Sequence, residues 1–438
     1  MNPAIVIPSY WTAKSDPQPL GEPGAYDHAT PYDKPLPELE TCLESLDRVR
    51  GVVRTIVLVV APPAGEQAAR ARVEGICRRH PDLNPLVIGS AEANVIRDAS
   101  ARVAPGMDGE TISLRGYGAI RNMGLVACAI LGHDVAVFLD DDEAVLDDEF
   151  LIDAVYGLGQ RTHQNLPLIA KTGYFLNRED SPYAAEDHIP WKERLWSKHE
   201  GFNEAMRTAL TSTRISRSSV CCGGCLALHA QAFSEVPFDP YITRGEDLDY
   251  LLNLRMAGLE LWFDNAWRVR HHPPATPSAP SRFLQDAYRW LYEAAKLKAA
   301  ADHPGIRALR SSSLEPYPGV WVSDAASSRI TRTALRHVIA GPDRSDYAAI
   351  LFHSLPGART WARDNSGRYF GFIRSWKRVV ATLWQESALE RILLESGTPK
   401  QRAPQEEIPW TAFSTVPEVG TPLRSIPEIG SDGGGARL

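Results

Sequence analysis

An α/β fold with a mostly parallel sheet sandwiched by helices is predicted by three features of this sequence. Apolar runs at 4–7, 55–60, 86–88 and 135–139 carry no charge, as strands covered on both faces require. Segments of helical length and period separate these runs. Strand and helix therefore alternate, the pattern that builds a parallel sheet with crossover helices.

The elements follow in order. Ala4-Ile5-Val6-Ile7 reads as a buried strand, stopped by Pro8. Residues 11–37, rich in Pro, Gly, Asp and Tyr, read as a long loop. A helix is expected over 39–48, a strand over 55–60, a helix over 65–79 and a strand over 86–88. Residues 88–116 receive no assignment. A helix over 117–131 leads into the strand at 135–139. Farther on, 168–175 reads as a strand and 177–218 as a polar, aromatic lid or acceptor-binding insertion. The small apolar run at 220–228 precedes a helix over 246–256, with Gly258 as its C-terminal glycine. Segments 259–263 and 267–269 close the sheet, and a proline-rich run from 273 to 280 marks a boundary. Helices are expected over 283–301 and much of 344–395, and 396–438 reads as a disordered tail. The division is thus 1–275 for a catalytic domain, 281–395 for a helical C-terminal extension and 396–438 for the tail.

Composition excludes several classes. A formal net charge of −7 argues against a nucleic-acid binder. No apolar run is long enough to span a bilayer. Met1-Asn2-Pro3 leads at once into a strand, so no signal peptide is expected and a cytoplasmic location is the default. Six cysteines are too few for a disulfide scaffold in a chain of 438 residues. The Cys222-Gly-Gly-Cys225 spacing has no second cysteine pair to complete a zinc site, so buried, reduced thiols are expected.

Chemistry concentrates at the end of the 135–139 strand, where Asp140, Asp141 and Asp142 stand in succession. Three adjacent carboxylates repel one another, and burial aggravates this. Hard oxygen donors of this kind select Mg²⁺ or Mn²⁺, with water and phosphates completing the shell. An acidic turn is the plain alternative. Ligands of parallel sheets bind beyond the carboxyl ends of the strands, which puts Pro8, Ser9 and Tyr10 on the same rim.

Four blocks resemble glycosyltransferases of the nucleotide-sugar-dependent GT-A (Rossmann-like) fold, in a pattern similar to the inverting family 2. They are Ile5-Val6-Ile7-Pro8-Ser9-Tyr10, Arg121-Asn122-Met123-Gly124, Phe138-Leu139-Asp140-Asp141-Asp142 and Gly245-Glu246-Asp247. The resemblance covers residues 4–275. It implies a metal-dependent transfer of a sugar from a nucleoside-diphosphate sugar to a hydroxyl acceptor, whether a saccharide, a small molecule or a lipid-linked sugar.

Carried onto this sequence, the resemblance makes Asp142 the first metal contact, with Asp140 on the ribose or a metal-bound water and Asp141 beside them. Pro8, Ser9 and Tyr10 face the nucleotide, and Arg121 lies on its diphosphate or base side. Asp247 is the general base, with Glu246 as understudy. A further metal ligand comes from His271 or His272. A plain reading stands beside each: acids in a helix's first turn favour its dipole, and histidines near a proline run are often just solvated.

The pattern also departs from the family. Val60-Ala61-Pro62-Pro63 stands where an acid commonly reads the base, leaving the nucleotide open. A retaining transferase, a nucleotidyltransferase and a non-catalytic nucleotide-sugar-binding scaffold are the rivals. Trp191, Trp196 and His199 are candidates for a sugar-stacking platform or an interdomain clasp. A basic, aromatic amphipathic helix over 368–384 either packs on the catalytic domain or touches the inner membrane face peripherally.

Overall fold

The computed structural model describes residues 1–13, 29–185, 189–273 and 278–396. The tail expected beyond Ser396 lies outside the described residues, as does part of the 11–37 loop. A mixed, ten-stranded sheet forms the centre. Its strands run Ile215–Arg217, Trp262–His271, Ala170–Leu176, Leu226–His229, Val135–Phe138, Pro3–Thr12, Thr55–Val60 and Pro85–Ile88. Two short strands, Thr30–Pro31 and Glu143–Val145, pair with Pro3–Thr12 and Trp262–His271. The last four strands of that order are mutually parallel, and Leu226–His229 is antiparallel to both of its neighbours.

Side-chain alternation explains the layers. Ala4, Val6, Ile56, Leu58, Ala136 and Phe138 point to one face, where helices Ser90–Val103, Tyr117–Ile130, Glu246–Met256 and Ala279–Ala299 cover them. Ile5, Ile7, Val57, Val59, Val135 and Val137 point to the other, under helices Glu38–Leu46 and Glu66–Cys77. All six residues of Thr55–Val60 are buried. Each large aliphatic among them contributes roughly 1.5–3 kcal/mol through burial.

Pro8 does not stop the first strand, which continues to Thr12. Ile5 N–H points toward the Thr55–Val60 side, bonding Arg54 O at 2.9 Å, and Val6 O accepts from Leu139 on the other side. By alternation the donor that Pro8 lacks would face the Val135–Phe138 side, where pairing ends at Val6 and Phe138. No ladder bond is lost.

Other boundaries differ too. Residues 88–116 contain helix Ser90–Val103, and residues 177–218 contain helix His199–Thr211 and the edge strand Ile215–Arg217. The two closing segments are one strand, Trp262–His271, with an irregularity between Phe263 and Arg268.

The C-terminal helices share the apolar core of one sheet face. Lys296, on Ala279–Ala299, bonds Asp239 at 2.6 Å and Asp249 at 2.8 and 2.9 Å, all buried. Tyr292 Oη also donates to Asp239, at 2.8 Å. Helix Arg368–Leu383 turns Tyr369, Phe372, Trp376, Val380 and Leu383 inward. Trp376 Nε1 bonds Phe233 O at 2.6 Å, and Arg374, Lys377 and Arg378 remain outside. Its aromatic face is thus occupied within the fold, which removes the apolar surface that the membrane reading needed. Among the described residues no helix is long and apolar enough to cross a membrane.

Candidate active site

A cavity of about 500 Å³ opens at the carboxyl ends of the parallel strands. Pro8, Ser9, Tyr10, Arg121, Asp140, Asp141, Asp142, Glu246, Asp247 and His271 all line it. His272 does not. It is exposed and lines a neighbouring hollow, while its backbone N–H bonds Asp142 O at 2.8 Å.

The three aspartates have different partners. Asp140 Oδ1 accepts from Arg121 Nη2 at 2.9 Å. Asp141 Oδ2 accepts from Ser9 Oγ at 2.6 Å, and Trp11 Nε1 fixes that hydroxyl at 2.9 Å. Asp142 Oδ2 lies 3.2 Å from His271 Nε2. Glu143, unassigned from sequence, is buried beneath them and accepts the Asp140 N–H at 3.2 Å.

Burial raises the pKa of Asp140, with Asp142 adding to it and Arg121 opposing. Asp141 and Glu143 are pushed well up, first by burial and then by neighbouring carboxylates. Burial alone would lower His271, but the hydrogen bond and charge of Asp142 outweigh it and raise the imidazole. Crowded carboxylates with raised pKa values mark a place where added positive charge is favourable.

Asp142 and His271, in contact at 3.2 Å, are an oxygen and a nitrogen donor of the types a divalent ion takes. Among the described residues no cluster of three or more His, Cys, Asp or Glu is arranged to hold a metal by itself. Two protein donors suit Mg²⁺ or Mn²⁺ when phosphate oxygens and water supply the rest.

Arg121 is the connector. It is 5% exposed and lies over the Phe138 ring. Nη2 holds Asp140, Nε holds Glu246 Oε1 at 2.9 Å, and Nη1 bonds Gly223 O at 3.0 Å. Burial opposes its charge, but Asp140 and Glu246 raise its pKa overall. The rest of its motif is structural. Asn122 pins the 238 segment through Phe238 N at 2.9 Å and Phe238 O at 3.0 Å. A Cβ on Gly124 would lie 2.6 Å from Val6 Cγ1, so glycine lets helix and strand approach.

Glu246 and Asp247 open helix Glu246–Met256. Glu246 is held by Arg121, whereas Asp247 is half-buried and faces the cavity. Burial and the charge of Glu246 raise Asp247 above the usual carboxylate range, against Arg289. The glycine pair makes room for this set. A Cβ on Gly223 would meet Arg121 Nη2 at 2.7 Å, and one on Gly224 would meet Glu143 Oε2 at 1.7 Å.

Sequence reasoning missed Glu143 and the arginines Arg244, Arg282 and Arg289, which also line the cavity. Glu143 adjoins the aspartate triplet, and Arg282 and Arg289 stand two helical turns apart, which is the signal that was there. Conversely, Trp191, Trp196 and His199 are absent from the lining. Trp196 packs on Phe283 at 4.5 Å and Trp321 at 5.4 Å, clasping the C-terminal helices. All six cysteines are free thiols, and burial pushes those of Cys222 and Cys225 well up, which disfavours the thiolate.

No protein-family model matches the sequence, and no curated protein does. Solved structures with some likeness include the mannosyltransferase PcManGT from Pyrobaculum calidifontis in complex with GDP-Man and Mn²⁺. That pair shares 14% identity over 88% of each chain, with a TM-score of 0.41. A mycobacterial protein shares 15% identity over 65% of this chain and 71% of that one, TM-score 0.33. GalNAc-T7 with UDP, GalNAc and Mn²⁺ shares 12% over 78% and 58%, TM-score 0.33. At scores this low, the likeness says nothing of what this chain binds.

Proposed function

We propose that this cavity is the active site of a GT-A glycosyltransferase, similar to family 2, that moves a sugar from a nucleoside-diphosphate sugar to a hydroxyl acceptor. The observation that carries the reading is the Arg121 bridge. One guanidinium holds Asp140 of the aspartate triplet and Glu246, neighbour of Asp247, at 2.9 Å each. A phosphate-handling end and a proton-accepting end are thereby set one side chain apart.

A divalent ion held by Asp142 and His271 would act as a Lewis acid toward charge developing on the leaving diphosphate. Ser9 and Tyr10 border the nucleotide end. Asp140 and Asp141, steadied by Arg121 and Ser9, keep the rim rigid. Asp247 accepts the proton of the acceptor hydroxyl as that oxygen attacks the anomeric carbon. A carboxylate with a raised pKa is better suited to this than a free one. Glu246 stays with Arg121 and positions its neighbour. Attack from the face opposite the leaving group inverts the anomeric centre.

Thermal shift against UDP-, GDP-, ADP- and dTDP-sugars, each with and without Mn²⁺, tests the donor site. One nucleotide class stabilising only with metal is expected, with loss of that shift in Asp142→Asn. Stabilisation that survives this substitution unchanged, or is indifferent to metal, removes the metal reading. NMR of the product's anomeric proton tests inversion, and a retained configuration removes Asp247 as base.

A further inference from the structure

Helix Ala325–Ala340, in the C-terminal extension, leaves large apolar side chains in water. Its buried side, Ala326, Ile330, Thr333, Ala334 and His337, faces inward. Arg332, Leu335, Arg336 and Ile339 follow the i, i+3, i+4, i+7 spacing of the opposite face. Leu335 and Ile339 are 46% and 60% exposed there, on a helix that carries no acid. Both flanks of this face are fixed. On one, Arg336 Nη1 donates to Trp191 O at 3.0 Å, and its guanidinium lies 5.6 Å from the centre of that half-exposed indole. On the other, Arg359 Nη2 donates to Thr331 Oγ1 at 2.7 Å, one turn before Leu335. Phe352, 67% exposed, stands on Ile350–Ser354, which packs against the same helix.

Residues 325–365 hold six arginines and three acids, Asp343, Asp346 and Asp364, in a chain of net charge −7. Among the described residues only Arg363 of the six pairs with a carboxylate, that of Asp364 at 2.9 Å. Arg336, Arg344 and Arg359 bond to carbonyl or hydroxyl oxygens instead. Apolar tips ringed by guanidinium groups that lack a carboxylate suit the boundary between lipid headgroups and acyl chains. There the tips leave water while the charges meet phosphate. We propose that this face docks the protein on an anionic lipid surface, through Trp191, Leu335, Ile339 and Phe352 with Arg332, Arg336 and Arg359 beside them. A second copy is a poor occupant, since a two-fold contact sets this face against itself, arginine toward arginine. The site is separate from helix Arg368–Leu383, whose aromatic side is packed inside, and it does not depend on the transfer reading.

Flotation of the full chain with lipid vesicles tests it. Vesicles of phosphatidylcholine with phosphatidylglycerol should carry the protein up, and vesicles of phosphatidylcholine alone should not. Added salt should weaken the binding. Leu335→Asp and Ile339→Asp should each reduce it by about tenfold or more, and Arg332→Gln by about fivefold. All three side chains are exposed, so the variants should melt as the wild type does. Arg374→Gln, exposed on the separate helix, should bind as the wild type does. Binding to neither vesicle, equal binding to both, or indifference to the three substitutions overturns the proposal. Binding of soluble polyglutamate that Leu335→Asp weakens equally would mean an acidic protein partner. A dimer in light scattering that Ile339→Asp splits would mean a second copy. Either result overturns the proposal.

Discussion

Arg121 Nε donates to Glu246 Oε1 at 2.9 Å, joining residues 125 positions apart in the chain. Both are nearly sealed from solvent, at 5% and 6% exposure. Removing the guanidinium strands Glu246 in a place that water barely reaches and also unpairs the more exposed Asp140. Arg121→Ala should therefore destabilise the protein by about 3–5 kcal/mol, as read from urea unfolding. Arg121→Lys keeps one charge but not the planar fork, and should recover only part of that loss.

As the proposed base, Asp247 should set the acid limb of the rate profile. Its pKa is raised, by burial first and by Glu246 second, so kcat/KM should climb with pH through a value above the ordinary carboxylate range. Asp247→Asn should lower kcat by about 10²–10⁴-fold with donor KM little changed. Steady-state kinetics from pH 4 to 9 check both; an unchanged kcat would remove the base assignment.

Metal dependence separates the two histidines. His271→Ala should weaken Mn²⁺ activation by more than about tenfold, the figure for losing a mere outer-shell partner. His272→Ala should change it far less, because His272 is exposed and is not part of the cavity lining. Chelation should abolish turnover, and Mn²⁺ or Mg²⁺ should restore it. Titrating metal into the chelated enzyme and its two variants measures all three.

Glu293 predicts a pH effect on stability. Burial raises its pKa to about 8 in the fold, from an ordinary value of 4.5. A group held above its unfolded value contributes in full below that value, and its contribution drains away as pH rises through the folded one. Between pH 5 and 9 the wild type should lose on the order of a few kcal/mol that Glu293→Gln does not lose. Melting temperatures of the pair across that range give the difference directly.

Lys296 tests whether the C-terminal helices are integral. Its ammonium is the shared partner of Asp239 and Asp249. Lys296→Met should cost about 3–5 kcal/mol by leaving two buried carboxylates unpaired. A loss below 1 kcal/mol in denaturant unfolding would mean that water or protonation relieves them.

Much of the framework was legible because period and charge agree. Strand 55–60 and helix 246–256 fall where the pattern places them, since an uncharged β-branched run and an acid-opened helix have few other solutions. Residues 8–10, 121, 140–142, 246–247 and 271 converge on one cavity: 140–142 follow one strand and 271 ends another, 8–10 lie in the first strand, and 121, 246 and 247 lie near the starts of helices beside them. Helix Ser90–Val103 escaped because its buried face is Ala93, Ile96, Ala99 and Ser100, too small to contrast with its polar side. Arg282 and Arg289 escaped for another reason. An Arg and acid four residues apart reads as a surface pair on any helix, and only tertiary packing turns that stripe toward the cavity.

Helix Ala279–Ala299 is both keel and wall, since Lys296 is moored in the core while Arg282 and Arg289, on the same rigid rod, border the cavity. Sliding the rod to suit a differently shaped molecule means snapping the mooring. Point changes at 282 and 289 alter the cavity border without touching that mooring. Grafting the whole segment from another protein would need matching partners at 239 and 249, so helix and anchoring carboxylates form one unit.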